Sequence, residues 1–243
     1  MNEVKPYESE KDGKKSQVSR MFNRIAPYYD FLNRLLSLGI DTLWRKRAIQ
    51  QLKTTQPQLI LDVATGTADV AIETAKTLQP KKIIGLDISA EMLQIGRQKI
   101  KKRGLDTIIT LEEGDSEALP YPDQYFDAVS VAFGVRNFEN LEKGLQEMRR
   151  VLKEDGQMVI LEFSKPRVFP IKQLFNAYFK YLLPLIGRLT SKDPKAYSYL
   201  YESVQAFPDG QDFVNILSKT GFKSNQCTPL TLGICSLYSA RKS

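Results

Sequence analysis

Asp62 and Asp87 lie in two apolar runs of the chain, 25 positions apart, and Gly66 and Thr67 follow the first run. In a strand–helix–strand unit, this spacing brings the carboxyl end of the second strand beside the loop after the first strand. An acid at the end of the second strand can accept hydrogen bonds from both hydroxyls of a ribose. The four residues therefore predict a site for a ligand that contains a nucleoside. Asp87 taken alone also fits an acid that ends a strand in another kind of α/β protein.

The glycine content of this loop indicates which ligand it suits. A dinucleotide pyrophosphate calls for the pattern G-x-G-x-x-G, whereas this loop holds Gly66 between two threonines and no second glycine close by. The phosphate-binding pattern G-x-x-x-x-G-K-[ST] does not occur in the sequence either. NAD, FAD and ATP are therefore disfavoured. A ligand with a ribose and an adenine but no phosphate fits best, and S-adenosylmethionine is the common ligand of this kind.

Polar residues also follow the third and fourth predicted strands. Asp115 and Ser116 come after the third strand, where a carboxylate and a backbone N–H group can bind an adenine. A solvated acidic turn is the alternative for this pair. Arg136 and Asn137 follow the fourth strand and carry hydrogen-bond donors in fixed geometry, so we expect them to face the substrate. The alternative for Asn137 is a cap on the following helix.

The segments that position these residues alternate between strand and helix patterns from residue 58 onward. This alternation predicts an α/β fold with a Rossmann-like, doubly wound, mostly parallel seven-stranded sheet and helices on both faces. The last two strands are expected to form an antiparallel hairpin at the sheet edge, joined by residues 228–231. The expected strands are 58–64, 82–87, 107–112, 126–132, 157–163, 222–227 and 232–240, and the expected helices are 68–78, 90–103, 140–152, 170–188 and 209–220.

Residues 18–53 precede the sheet and form an aromatic, amphipathic helical unit, in which Pro27 is expected to end one helix. We expect this N-terminal helical cap to cover the site. A helix pair that packs on the sheet and fills the core is the alternative. The polar cluster of Tyr28, Tyr29 and Asp30 lies between apolar stretches and is expected near the substrate.

Composition limits the chemistry that the chain can perform. The 243 residues include no histidine and two isolated cysteines, Cys227 and Cys235. The commonest general base and a four-ligand zinc site are therefore excluded, and no metal site is expected. The cysteines are interpreted as small buried side chains of a protein in the reducing cytoplasm. Residues 1–16 are polar, lack the apolar core of a signal peptide and are expected to form a mobile tail.

The net charge of +7 indicates an acidic partner. Nucleic acid is disfavoured because no RNA- or DNA-binding motif is recognisable. Residues 168–189 are apolar, contain no acid and carry Lys172, Lys180 and Arg188, a pattern typical of a helix at the headgroup level of a membrane. We therefore expect a peripheral, reversible and salt-sensitive association with an anionic membrane surface. A long helix buried on the sheet is the alternative.

Six segments of the chain together resemble the class I S-adenosylmethionine-dependent methyltransferases, and most closely the C-methyltransferases of menaquinone and ubiquinone biosynthesis. The resemblance covers roughly residues 17–241 and implies a single domain over 17–243. Within it, 17–54 form the helical cap and 165–208 form an insertion that faces the substrate and the membrane. The six segments are MFNRIAPYYD (21–30), DVATGTAD (62–69), DISAEML (87–93), GDSEALP (114–120), FGVRN (133–137) and LEFS (161–164).

In that family the cofactor is held at positions that match Thr67, Asp87 and the pair Asp115 and Ser116. Some members also carry a cofactor-contacting serine where Ala132 stands in this chain. The implied reaction moves a methyl group from S-adenosylmethionine to a ring carbon of a reduced, prenylated quinone.

The preferred substrate is demethylmenaquinol. The benzoquinol of the ubiquinone pathway, another apolar acceptor, and a non-catalytic cofactor- or lipid-binding subunit are the alternatives. Arg136 and Asn137 are expected to stabilise the developing oxyanion, with an ordered water as one acceptor of the proton. Tyr28, Tyr29, Asp30 and Tyr201 are weaker candidates for substrate contact. A homo-oligomer is left open.

Overall fold

A computed structural model describes residues 4–7, 11–37, 39–178, 181 and 194–243. Its centre is a seven-stranded sheet with the strand order β3-β2-β1-β4-β5-β7-β6. The first five strands run parallel, and β7 is antiparallel to both β5 and β6. The predicted fold class is confirmed. The strands are β1 (Leu59–Val63), β2 (Lys82–Asp87), β3 (Ile109–Glu113), β4 (Phe126–Ala132), β5 (Leu152–Phe163), β6 (Lys223–Leu230) and β7 (Cys235–Arg241).

Helices cover both faces of the sheet because successive residues of a strand point to opposite sides and both sides are apolar. In β1, Leu61 packs into the cluster of α5 and α8, while Ile60 packs into the cluster of α2, α3 and α4. The described helices are α1 (Lys14–Leu36), α2 (Asp41–Gln51), α3 (Asp69–Leu78), α4 (Ala90–Lys102), α5 (Leu141–Val151), α6 (Ile171–Ala177), α7 (Pro194–Ala206) and α8 (Gln211–Lys219).

Helix α1 continues through Pro27, so the prediction that Pro27 ends a helix is wrong. A proline inside a helix costs about 3 kcal/mol because it removes one backbone hydrogen bond and crowds the preceding turn. Contacts on both sides of the proline offset this cost. Before it, the Asn23 Oδ1 atom accepts hydrogen bonds from the Ser89 hydroxyl (2.7 Å) and the Glu91 N–H group (3.2 Å). After it, the Asp30 carboxylate binds Lys99 on α4 at 2.8 Å.

The described residues of the N-terminal segment contact the rest of the domain. Tyr7 is buried, and its N–H group donates to the Gln17 Oε1 atom at 2.8 Å. Helix α1 begins at Lys14, whose ammonium group donates to the Phe138 carbonyl at 2.8 Å. The segment expected as a mobile tail therefore contributes contacts to the loops at the sheet edge.

Three other elements differ from their predicted bounds. The turn between β6 and β7 lies at Thr231–Gly233 rather than at 228–231, because β6 continues to Leu230 opposite Cys235. Helix α7 occupies a stretch that the sequence analysis left unassigned. The helix expected over 170–188 is described only as α6, and most of its remainder lies outside the described residues. None of the described helices is long and apolar enough to cross a membrane.

Candidate functional site

The carboxyl ends of the four neighbouring strands β1 to β4 surround a cavity that α1 covers. Each loop at this edge contributes to its wall, as the spacing of the polar residues predicts. The lining residues are Lys15, Val18, Phe22, Tyr29, Ala64, Gly66, Leu86, Asp87, Ile88, Met92, Gly114, Asp115, Ser116, Glu117, Ala132, Phe133, Gly134, Asn137, Phe138 and Glu139. We call it the polar cavity, since Asp87, Asp115 and Ser116 line it.

Asp87 ends β2 and turns its carboxylate toward the loop after β1. One carboxylate oxygen accepts a hydrogen bond from the Gly66 N–H group at 2.8 Å, and the other accepts one from the Ser89 N–H group at 2.9 Å. Burial raises the pKa of Asp87, and the two N–H donors oppose that rise. Gly66 has a φ of +56°, a conformation that glycine adopts without strain. The carboxylate and the loop therefore hold each other in place at the wall of the cavity.

Asp62 lies beneath the same loop and does not line the polar cavity. Its carboxylate accepts hydrogen bonds from the Thr65 and Ser130 hydroxyls, both at 2.6 Å. Burial raises the pKa of Asp62 to about 6, although both hydroxyl donors favour its charged form. In this position Asp62 fixes the loop between β1 and α3 against β4.

The pKa of Asp62 predicts a pH dependence of stability. Because the folded protein holds this proton more tightly than the unfolded chain, the contribution of Asp62 to stability is present at low pH and is lost as the pH rises through about 6. We expect the free energy of unfolding of the wild type, relative to Asp62→Asn, to fall by about 1 kcal/mol between about pH 5 and pH 7. Urea unfolding of both proteins at the two pH values measures this difference. A difference that does not change with pH would contradict the assignment.

Thr67 and Asp30 form a hydrogen bond with each other outside the polar cavity. The Thr67 hydroxyl donates to the Asp30 carboxylate, and the Lys99 ammonium group donates to the Thr67 oxygen at 3.0 Å. Lys99 also pairs with Asp69, which pairs in turn with Arg45 on α2. Neither Thr67 nor Asp30 is among the residues that line the polar cavity. These contacts join α1, α2 and α4 to the loop after β1.

The loop after β3 meets the first turns of α1. The Lys15 ammonium group pairs with the Asp115 carboxylate at 2.7 Å, and the Glu117 N–H group donates to the other Asp115 oxygen at 2.9 Å. Glu117 is buried and accepts hydrogen bonds from the Glu139 and Asn140 N–H groups, both at 2.9 Å. Sequence reasoning missed Lys15, which it assigned to a mobile tail, and treated Glu117 as one of several equivalent acids.

A second, larger cavity of about 820 Å³ adjoins the polar cavity. Its lining is mainly apolar and comes from α1, α2, α6, α7 and the loops after β4 and β5, so we call it the apolar cavity. An aromatic cluster borders it: the Phe133 and Phe163 rings lie 4.7 Å apart, and Trp44 lies 6.2 Å from each. The two cavities share Phe22, Tyr29, Phe133 and Asn137, which therefore mark the place where ligands in the two cavities can meet.

Arg136 and Asn137 lie in a short 3₁₀ turn after β4, at this junction. The Arg136 guanidinium donates to the Glu162 carboxylate and to the Phe133 carbonyl, both at 2.6 Å. The Glu162 side chain is fully buried and that of Arg136 nearly so, and both belong to an ion pair that the sequence did not indicate. Burial raises the pKa of Glu162, and Arg136 opposes that rise. Arg136 lines the apolar cavity.

Asn137 is buried and lines both cavities, while its Oδ1 atom has no hydrogen-bond partner among the residues that the structure describes. A buried amide oxygen without a partner costs about 1–3 kcal/mol, so a ligand that supplies a donor would relieve this cost. The cap of α5 is Asn140, whose side chain accepts from the Lys143 N–H group at 3.0 Å. The alternative role of Asn137 as a helix cap is therefore wrong.

The three tyrosines expected near substrate have different positions. Tyr29 is half-buried, lines both cavities and hydrogen bonds with the Asn33 side chain. Desolvation raises its pKa, so the phenol stays protonated at neutral pH. Tyr28 is exposed, and Tyr201 packs beside the small apolar cluster of α1 and α7. Neither Tyr28 nor Tyr201 is among the described residues that line the two cavities.

Residues 10–242 match the model of the ubiE/COQ5 methyltransferase family. The chain belongs to this family. It is therefore an S-adenosylmethionine-dependent methyltransferase, as the resemblance implied. One relative, named demethylmenaquinone methyltransferase, from Bacteroides fragilis, is 52% identical over 98% of this chain and 97% of its own. Another with the same name, from Porphyromonas gingivalis, is 43% identical over 98% of both chains.

A further relative supports the family assignment, and a solved structure supports the fold. The ubiquinone/menaquinone biosynthesis C-methyltransferase of Geotalea uraniireducens is 45% identical over 94% of this chain and 97% of its own. The crystal structure of a SAM-dependent methyltransferase from Thermotoga maritima matches with a TM-score of 0.65 and 18% identity, over 93% of this chain and 99% of that one. At this identity, the structural match supports the fold alone.

Proposed function

We propose that this methyltransferase acts on the ring of a prenylated quinol, with demethylmenaquinol as its substrate. The observation that carries the proposal is the apolar cavity, which is large enough for a lipid-like acceptor and shares four lining residues with the polar cavity. The names of the relatives from Bacteroides fragilis and Porphyromonas gingivalis support the choice of substrate.

The polar cavity fits S-adenosylmethionine by the chemistry of its lining. In this proposal the Asp87 carboxylate accepts hydrogen bonds from the ribose hydroxyls, and Asp115 and Ser116 bind the adenine. Gly66 lines the same cavity, and its N–H group holds the Asp87 carboxylate. Asp62 and Thr67 act through the loop that carries Gly66. The cofactor supplies an electrophilic methyl group on a sulfonium.

The residues at the junction orient the acceptor and its charge. The rings of Trp44, Phe133 and Phe163 form an apolar wall for a flat aromatic ring. Arg136 and Asn137 stabilise the oxygen that becomes negative when the quinol loses a proton, because donors fixed in a buried site act on that charge without rearrangement. Alignment of the ring carbon with the methyl group contributes the larger share of the acceleration.

Methyl transfer from labelled S-adenosylmethionine tests the substrate. Demethylmenaquinol and the corresponding demethylated ubiquinol precursor are each presented in lipid vesicles under reducing conditions, and the product is identified by mass. We expect label on the naphthoquinol ring. Label on the benzoquinol alone would replace the proposed substrate, label on both would make the enzyme dual-function, and label on neither would exclude quinols.

We also propose that the enzyme works in the cytoplasm, bound peripherally to the inner face of an anionic membrane. Three exposed apolar side chains lie near the apolar cavity: Phe169 (77% exposed), Leu174 (62%) and Leu232 (65%). They come from separate segments held together by hydrogen bonds, since Ser164 donates to the Gly233 carbonyl and Trp44 to the Thr231 hydroxyl. Arg167 and Lys172 are exposed basic residues on the segment that carries Phe169 and Leu174. Lys46 and Arg47 are exposed on α2, the helix that carries Trp44.

Removing one exposed aromatic ring tests this membrane surface. We expect Phe169→Ser to weaken binding to vesicles with anionic lipid by about fivefold, because about 1 kcal/mol of apolar burial is lost, while the activity on a detergent-solubilised quinol is kept. The matched control is Tyr125→Ser, which removes an exposed ring directly before β4, at the amino ends of the parallel strands. Sedimentation with vesicles at low and high salt measures both. Vesicle binding that does not change with salt concentration or with the anionic lipid content would contradict the proposal.

A further inference from the structure

The apolar cavity has a single carboxylate among its described lining residues, and it belongs to Asp41. The chain has no histidine. Asp62 and Glu162 are buried elsewhere, and Asp87 lines the polar cavity instead. Burial raises the pKa of the Tyr29 and Tyr178 phenols, so these two lining side chains act as donors rather than as bases. Asp41 is therefore the described residue of this cavity that can accept a proton.

Two neighbours hold the Asp41 carboxylate in place. The Ser37 hydroxyl, just beyond α1, donates to the Asp41 Oδ1 atom at 2.6 Å. Arg45, one turn along α2, pairs with the Asp41 Oδ2 atom at 3.1 Å. Ser37 and Arg45 also line the apolar cavity. A substrate hydroxyl that donates to Ser37 would complete a short chain of hydrogen bonds to the carboxylate.

We propose that Asp41 is the general base of the reaction and that it takes the proton of the quinol hydroxyl beside the reacting ring carbon through the Ser37 hydroxyl. This inference rests on the proposed function. The reaction requires a base, because ionisation of that hydroxyl raises the electron density on the adjacent carbon.

The reaction moves two protons and one methyl group. The hydroxyl proton moves to Asp41, the bond between the ring carbon and the methyl group forms, and the bond between sulfur and the methyl group breaks. The methylated ring then loses the hydrogen of that carbon as a proton to water, and Asp41 returns its own proton to the ring oxygen. One proton is released to solvent for each methyl group transferred.

The charged and titratable groups around Asp41 belong to several elements. Arg45 is on the same helix, and Asp69 on α3 and Lys99 on α4 act through Arg45. The charged and titratable groups that share the cavity with it are Tyr29, Arg45, Arg136, Tyr178, Tyr181 and Tyr199. Substitution of Asp41 alone therefore leaves these other groups the same in the wild type and in the variant.

Asp41→Asn keeps the shape of the side chain and removes the base. With the purified enzyme and short-chain demethylmenaquinol in detergent under anaerobic conditions, we expect kcat to fall by about 10²–10³-fold, while the quinol KM and the S-adenosylmethionine Kd stay within about threefold of wild type. We also expect log kcat of the variant to rise by about one for each pH unit, since only quinol ionised by solvent then reacts, whereas the wild type is level above about pH 7.

Two further variants separate a base from a structural support. Asp69→Asn removes the other carboxylate of Arg45 without touching the described lining of the apolar cavity, and its pH profile is expected to keep the wild-type shape. Ser37→Ala leaves the ion pair with Arg45 intact, so it stays informative should Asp41→Asn fold poorly, and we expect kcat to fall by about tenfold. An Asp41→Asn kcat within about threefold of wild type, or a parallel pH profile, overturns the inference. If Asp41→Asn does not fold, a Ser37→Ala kcat equal to that of the wild type also overturns the inference. A wild type that methylates no quinol overturns the proposed function itself.

Discussion

Replacement of Arg136 by methionine is expected to lower kcat by about 10²–10³-fold and to destabilise the fold at the same time. The loss of activity follows from the proposed mechanism, because a fixed cation that stabilises the reacting oxygen is removed from a buried site. The loss of stability follows because Glu162 keeps a fully buried carboxylate without its partner. Breaking a buried pair on one side costs about 3–5 kcal/mol.

The double variant Arg136→Met with Glu162→Met separates these two effects. An apolar pair of similar volume can replace a buried ion pair at little cost, so we expect the free energy of unfolding to return to within about 1 kcal/mol of wild type. The activity is expected to stay low in the double variant. Urea unfolding and steady-state kinetics measure both quantities. Near wild-type turnover in the double variant would remove Arg136 from the catalytic machinery.

The single Arg136→Met variant also carries a pH signature. Burial raises the pKa of Glu162, and Arg136 opposes that rise. Without Arg136, the folded state holds the Glu162 proton more tightly than the unfolded chain does, so stability is lost as the pH increases. We expect the destabilisation to be larger at about pH 8 than at about pH 5. Equal destabilisation at both values would mean that Glu162 is not left as a lone buried acid.

Replacement of Asp87 by asparagine is expected to weaken S-adenosylmethionine binding by about 100-fold. A hydrogen bond to a charged group contributes about 1.5–3 kcal/mol, and the variant loses the charge that would bind the ribose hydroxyls. The amide also brings its own N–H group toward the Gly66 or Ser89 N–H donor, so the loop after β1 loses part of its support. Isothermal titration with S-adenosylmethionine and its demethylated product measures the effect.

Glu113→Gln is the matched control for Asp87→Asn. Glu113 ends β3 directly opposite Asp87 in the sheet register, yet it does not line the polar cavity. We expect its S-adenosylmethionine Kd to stay within about twofold of wild type. If both variants weaken binding equally, a general loss of negative charge at this edge explains the result better than a specific ribose contact.

Most of the sheet was predictable because its strands are short apolar runs separated by helical periodicity. Local pattern also located the loop with Gly66 after β1 and the turn with Arg136 and Asn137. The errors lie where long-range contacts override local preference. Pro27 stays inside α1 because Asn23 and Asp30 are bound on either side of it. The turn of the hairpin moves because β6 pairs with β7 up to Leu230.

The sequence by itself determined the order of strands and helices and placed polar residues at the carboxyl ends of the strands, because both follow from spacing along the chain. Only the tertiary structure decided which of those residues share a cavity. Thr67 binds Asp30, 37 positions away, and Lys15 binds Asp115, 100 positions away. It also placed Asp41 in the apolar cavity and paired Arg136 with Glu162. Such pairings depend on how α1 and α2 pack over the sheet, and no local periodicity encodes that packing.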